Sequence, residues 1–397
     1  MSSTPFPSST RWLAVLLIWC AGFAAAAQFA KISVSFDLLE AIYPEAALGI
    51  PVILSILGIF GLIGGATAGI VISRFGPARL LIAALAFGAV LSALQAFLPP
   101  YPVLLALRLI EGLSHIVLVV AGPTLMVAVS APRDHRTVMA IWATFFGVGF
   151  ALTAWLGFPL AQSQGVSALF QAHALALLIL AVALRLVGLP RLPRASAPSQ
   201  GWIATHLAIY RNLPTALPGM VFLWHTITYV ALLTLLPALG PAGTQGLLGT
   251  LLPLTGLVGT FTAMALIRRH GSLPGIAITG FAGTALLVLL LTQLQGTSAF
   301  VPVAALLSFF AGLVPGAAFA MVPAFNGDAI AQSRANGALA QLGNLGTVSG
   351  TPILAFALAS AGIFGLALVA LCFAALGISV TLIGTRRARL EPGPPST

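Results

Sequence analysis

Apolar runs long enough to cross a bilayer follow one another along almost the whole chain, and they constrain its fold more than any motif does. A helix needs about 20 apolar residues to cross a hydrocarbon core about 30 Å thick. Runs of that size recur from Trp12 to Gly384. Only 6% of the residues are charged and 59% are hydrophobic, where soluble domains carry about 25% charged residues. A chain this poor in charge cannot cover a surface that faces water. Its solvent is lipid, and the expected fold class is an all-α membrane protein.

Turn signals and charges divide the runs into twelve predicted helices. The first six fall at about 12–35, 47–72, 79–97, 102–128, 138–160 and 166–188. The second six fall at about 213–237, 246–267, 273–294, 299–324, 335–359 and 362–384. The segment from Leu189 to Asn212, with PRLPRASAPSQ, is the longest polar break. Three parts are expected: an N-terminal six-helix bundle (1–188), a cytoplasmic linker (189–212) and a C-terminal six-helix bundle with a short cytoplasmic tail (213–397). RTVMAIWATFFGVG from Arg136 and RANGALAQLGNLG from Arg334 form a weak repeat 198 residues apart. Two pseudo-symmetric halves joined by a basic linker suit an alternating-access carrier.

Basic residues set the orientation. Arg74 and Arg79, Arg133 and Arg136, Arg191, Arg194 and Arg211, Arg268 and Arg269, and Arg334 fall on alternate connections. Arg11 and the trio Arg386, Arg387 and Arg389 flank the ends. The opposite connections, LPPYP, AQSQG, PALGPAGTQG and TQLQGTSAF, carry none. Cytoplasmic loops hold the excess of Lys and Arg, so both termini are expected to be cytoplasmic. The net charge of +10 has this topogenic pattern and does not line one helix face, which argues against nucleic acid. Arg11, WLAVLLIWCAGF and AAAAQFA resemble a signal peptide, but further spans follow, so the segment is read as an uncleaved first helix.

Other chemistries find little support. Cys20 and Cys372 lie in apolar runs at opposite ends of the chain, with no CxxC and no metal-ligand cluster. No GxxxxGK[ST] motif marks a nucleotide site. Seven acidic residues give no paired carboxylates or nucleophile triad. No enzyme activity, cofactor or resident metal is expected.

The connection GIVISRFGPAR, with Gly69, Arg74, Gly76 and Arg79, resembles the loop signature between helices two and three of the major facilitator superfamily. Ser73 replaces the usual acidic residue, and Pro77 one of the closing basic positions, so the signature is degenerate. RLIEG at 108–112 resembles that superfamily's helix-four signature. The resemblance covers nearly the whole chain. It implies the major facilitator fold, with helices one, four, seven and ten lining a central cavity. QFAKISVSFDLL, RLIEGLSHIVLVVAGPTLM and WATFFGVGFALTAWLG resemble a proteobacterial branch that includes copper importers and riboflavin importers. The copper importer's Met-xxx-Met and His-xxx-Met pairs are missing: helix seven has Met220 and His225, and helix eight has Met264.

Ionisable groups inside the runs are the candidate site. A charge at the bilayer centre costs about 2.5–3.5 kcal/mol on insertion scales. Residues three and four apart share a helix face, so Arg108, Glu111 and His115 form one stripe, expected to face the cavity. Glu111 and Arg108 are expected to pair and to act in proton coupling, with His115 tuning or relaying the proton. The same stripe also suits a purely structural ion pair. Gln28 and Lys31 share a face of helix one. A helix continuing to Leu38 puts Lys31 in the cavity mouth, and a shorter one leaves it in solvent. Asp37, Glu40 and Glu45 read as outer-loop charge. Trp142 and His225 are expected at the cavity, where rings stack on a planar substrate. Gln341 and Asn344, i and i+3 on helix eleven, are expected to face the cavity and contact substrate; they sit amid Gly337, Gly343, Gly346 and Gly350, which permit close helix approach. Pro123 and Pro315 are expected to kink or end their helices.

The expected function is secondary active transport of a small solute across a bacterial inner membrane, by a monomer, coupled to protons. The substrate expected is flavin-like or another small organic molecule. Copper import, export of hydrophobic or cationic compounds, and a non-transporting sensor or assembly factor stand as alternatives.

Overall fold

The computed structural model describes residues 7–192, 201–270 and 272–388. Linker residue Arg194 and tail residue Arg389 lie outside the described residues, as does the side chain of Ser73.

The described residues are helical, with no strand among them. The helices are α1 (Trp12–Val34), α2 (Phe36–Ile42), α3 (Ile50–Ser55), α4 (Ile59–Phe75), α5 (Pro77–Gln95), α6 (Tyr101–Ala128), α7 (His135–Ala143) and α8 (Phe145–Leu152). They continue as α9 (Phe158–Val187), α10 (Trp202–Tyr210), α11 (Leu213–Leu239), α12 (Gln245–His270), α13 (Leu273–Gln293), α14 (Phe300–Phe325) and α15 (Ala329–Ala388). Nine helical stretches among the described residues are long and apolar enough to cross a membrane. Two are far longer than one crossing needs: 43 residues at Phe145–Val187 and 59 at Ile330–Ala388. Each is broken by a residue with non-helical backbone, Gly165 in the first and Ala361 with Gly362 in the second.

Local chemistry sets several boundaries. Gly76 ends α4 with φ 95°, its N–H bonding to the carbonyl of Ile72. Only glycine takes that conformation at low cost, and Pro77 then opens α5, where its missing N–H is no loss. Asn212 caps α11 by accepting a bond from the Thr215 N–H at 3.0 Å.

The sequence-based boundaries need three amendments. The second predicted helix is interrupted by a 3-10 turn at Ile56–Gly58. The fifth is divided after Ala143 and carries a π-turn at Thr153–Gly157. The linker read as a polar break contains the helix α10. Pro123 and Pro315 lie inside helices that run on to Ala128 and Phe325. In lipid-spanning helices, neighbouring groups readily satisfy the carbonyl that a proline frees.

The chain divides into two compact units, Met1–Ser199 with Gly249–Leu254, and Gln200–Leu248 with Thr255–Thr397. In the first, Ile18, Leu81, Leu118, Leu125 and Leu177 meet in a closed core. In the second, Leu217, Val221, Phe281, Val314 and Met321 do so. Outward faces are apolar as well: Phe97 and Leu186 are 82% and 81% exposed. Such faces suit hydrocarbon and not water. Within the second unit, α11 and α15 approach at glycines. Gly343 abuts the ring of Phe222, while Gly346 and Gly350 abut the backbone of Ile227.

Candidate functional site

Four helices of the first unit each turn an i, i+3 pair to the same interior point. They are Gln28 and Lys31 of α1, Ser92 and Gln95 of α5, Arg108 and Glu111 of α6, and Phe170 and His173 of α9. The spacing stacks each pair on one helix face. Lys31, Arg108, Glu111, Gln28, Ser92 and Gln95 are all 0% exposed. Among the described residues Glu111 is the only buried carboxylate.

Glu111 is the hub. Lys31 Nζ donates to Oε1 at 2.9 Å. Arg108 Nη1 and, at 2.8 Å, Gln95 Nε2 donate to Oε2. Arg108 also donates through Nε to the carbonyl of Ile53 at 3.1 Å, and its Nη2 has no hydrogen-bond partner among the described residues. Gly112 lets α6 come this close, since a Cβ there would collide with the carbonyl of Leu57. Unpaired, each charge would cost several kcal/mol to bury, and the shared carboxylate offsets much of that cost.

Lys31 holds three partners. Besides Glu111, it donates to Ser92 Oγ at 3.0 Å and faces His173 Nδ1 at 3.4 Å. The ring of Phe170 sits 5.0 Å from Nζ, a cation–π distance. His173 Nε2 lies 3.0 Å from the carbonyl of Ala24, which only accepts. That assigns the ring proton to Nε2 and leaves Nδ1 as an acceptor.

A neutral layer continues from the charged one. Gln28 Nε2 donates to Ser114 Oγ at 3.2 Å, and Ser114 donates to the carbonyl of Ala84 at 2.8 Å. His115 Nδ1 lies 3.1 Å from Gln28 Oε1 and 3.2 Å from the carbonyl of Ala25, both acceptors. His115 therefore donates through Nδ1.

The predicted site residues divide accordingly. Gln28, Lys31, Arg108, Glu111 and His115 converge. α1 ends at Val34, and Lys31 is not left in solvent: it is sealed in because α5, α6 and α9 close over it. His115 is bonded to α1 and not to Glu111, so the histidine beside the charges is His173. Trp142 does not join this cluster. It is 7% exposed and packs in the apolar core, its ring filling the space left by Gly22 and Gly122. The other predicted cavity residues belong to the second unit. His225 is stacked between Phe222 and Tyr229 at 5.7 and 4.8 Å. It lines a pocket with Trp224, Thr228, Tyr229, Phe281 and Thr284. Gln341 Oε1 accepts from Tyr210 of α10 at 2.9 Å, and Asn344 donates to the carbonyl of Ala340 at 2.8 Å. Of the loop-signature residues, Gly69 and Arg74 lie in α4 and Arg79 in α5; Gly69 lies 3.9 Å from Val120 by its would-be Cβ, Gly76 makes the turn, and Arg74 and Arg79 are exposed.

Sequence reading missed Ser92, Gln95 and His173 as partners. The signal was present: Ser92 and Gln95 are an i, i+3 polar pair in an otherwise apolar helix, as Gln28 and Lys31 are. Among the described residues, no three of His, Cys, Asp and Glu converge as a metal site.

Helices with apolar outer faces, closed around a charge cluster, define a multi-pass membrane protein. The family model of the Major Facilitator Superfamily matches residues 12–239, more than half of the 397 residues, and the chain belongs to that superfamily. Its members are generally transporters and not enzymes. No match to a curated protein was found.

Proposed function

We propose that the chain is a proton-coupled secondary transporter of a small solute, working by alternating access. The supporting observation is the sealed Lys31–Glu111–Arg108 cluster. Ionisable groups at such depth are expensive and mark proton or substrate pathways. The proposed architecture has twelve spans in two six-helix bundles. The 43- and 59-residue stretches each supply two crossings, divided at Gly165 and Gly362, and Ile50–Phe75 supplies one. Both termini are proposed to lie in the cytoplasm of a bacterium, with the transporter acting as a monomer in the inner membrane and having no catalytic activity.

The proposed cavity residues are Gln28, Lys31, Arg108, His115, His225, Gln341 and Asn344, with Glu111 and Arg108 in the coupling cluster. Gly69, Arg74, Gly76 and Arg79 form the proposed gating loop. The ladder of Phe222, His225 and Tyr229 favours a planar organic solute such as a flavin, because flat rings stack on flat rings.

The test is flux into proteoliposomes under an imposed pH gradient, with riboflavin, copper(I) and cationic drugs as probes. A thermal screen of the same panel accompanies it. A ligand at a hundredfold excess over its Kd stabilises the folded state by about 2.7 kcal/mol. Gradient-driven uptake of one probe, lost in Arg108→Ala, supports the proposal. Flux that ignores the gradient removes proton coupling.

A further inference from the structure

Lys31 is the only lysine in the chain, and it lies 0% exposed among helices. The cluster it belongs to holds two cations and one carboxylate. We propose that the labile proton of this site sits on Lys31 Nζ and passes through Ser92 to His173, while Glu111 stays anionic. This rests on the transporter reading for its use in coupling, but the proton's location stands by itself.

The charge count carries the argument. The charged and titratable groups facing Lys31 are Glu111 and Arg108 from α6 and His173 from α9. His115 lies one turn further along α6, and α5 brings the neutral Ser92 and Gln95. With Lys31 an ammonium, a sealed site keeps one surplus positive charge. Transfer to His173 only moves the surplus charge, and release from there to water leaves a one-to-one pair of Arg108 and Glu111. Protonating Glu111 instead leaves two buried cations and no anion, the arrangement a low-dielectric interior tolerates least. Arg108 has no proton to give, since a guanidinium stays charged in proteins. Three donors on the Glu111 oxygens hold the carboxylate form, because each bond needs an acceptor.

The route is built in hydrogen bonds. Ser92 Oγ lies 3.0 Å from Lys31 Nζ, 3.0 Å from His173 Nδ1 and 3.0 Å from the carbonyl of Phe170. Its single hydrogen points to Phe170 or to His173. When it points to His173, one N–H bond of Lys31 breaks and its proton bonds to Ser92 Oγ. The original Ser92 proton bonds to His173 Nδ1. The products are a neutral amine, an intact serine hydroxyl and an imidazolium. That imidazolium still donates to Ala24 through Nε2, and it passes the Nδ1 proton to water when the unit opens.

A single lysine makes the test direct. Full-length protein labelled with ¹⁵N at the lysine Nζ position, in lipid nanodiscs, has one amine resonance. It is followed from about pH 5 to about pH 10, a range that brackets imidazole and approaches the ordinary amine value. The resonance is expected to move from ammonium to amine within that range, and the transition to shift when His173 is replaced in His173→Gln. Infrared difference spectra over the same range are expected to show no protonated-carboxyl band that Glu111→Asp, which keeps the anion, shifts. A resonance that stays ammonium or stays amine throughout overturns the proposal, as does such a carboxyl band. Folding gives an independent readout: Lys31→Met keeps the wild-type unfolding temperature or exceeds it, whereas Glu111→Gln loses folded protein. The reverse order overturns the proposal. Absence of flux for every probe, with Lys31 titrating as expected, would remove the transport reading alone.

Discussion

Glu111 accepts from three side chains on three helices, so its replacement acts on more than one bond. Glu111→Gln leaves Lys31 and Arg108 without an anion, and the loss expected is about 3–5 kcal/mol, the usual result of breaking a buried ion pair from one side. Chemical denaturation in detergent measures it. Ser114 is a smaller case. Its hydroxyl joins Gln28 to the carbonyl of Ala84, so Ser114→Ala strands one buried donor and one acceptor. The expected cost is about 1–3 kcal/mol, read in the same assay. At this scale the sequence disclosed the pairing of Arg108 with Glu111, because i, i+3 spacing is local. It did not disclose Lys31 as the second partner, because that contact joins residues 80 positions apart.

At the scale of elements, α11 and α15 are held close by glycines that have no room for a side chain. Gly350 lies against the carbonyl of Ile227, while Gly64 in α4 has nothing within 4 Å of its would-be Cβ. Gly350→Leu is therefore expected to drive the helices apart and to abolish monodisperse protein on size exclusion. Gly64→Ala is expected to be neutral or to stabilise by up to about 1 kcal/mol through helix propensity. The small-residue pattern was legible in sequence as a close-packing face. Its partner on α11 was not, since any apolar helix could have faced it. The interruptions at Ile56–Gly58 and Thr153–Gly157 were not legible either, because the apolar pattern runs through them unchanged.

For the whole molecule, the arrangement of arginines makes a topological prediction. With Cys20 and Cys372 replaced by Ala, a cysteine introduced at Pro99 is expected to react with an impermeant thiol reagent from outside intact cells. One introduced at Arg191 is expected to react only after lysis. The opposite labelling would reverse the proposed orientation. Equal labelling of both sites from outside would break the span count. The superfamily itself was legible in GIVISRFGPAR and RLIEG, although Ser73 and Pro77 depart from the loop signature. The solute was not legible, because the fold hosts many chemistries and specificity lives in side chains grafted onto it.

The sequence by itself determined the solvent, the helical class, the superfamily and the stripe on α6. The solvent and the helical class depend on composition, the stripe on spacing within a single helix, and the superfamily on the resemblance of GIVISRFGPAR and RLIEG to its signatures. Only the tertiary structure decided that Lys31 is buried, that Ser92, Gln95 and His173 surround it, and that Trp142 is core packing. Those facts depend on which helix faces are brought together. In lipid, an apolar face gives little indication of its neighbour, since hydrocarbon and a second apolar helix are nearly equivalent surroundings for it.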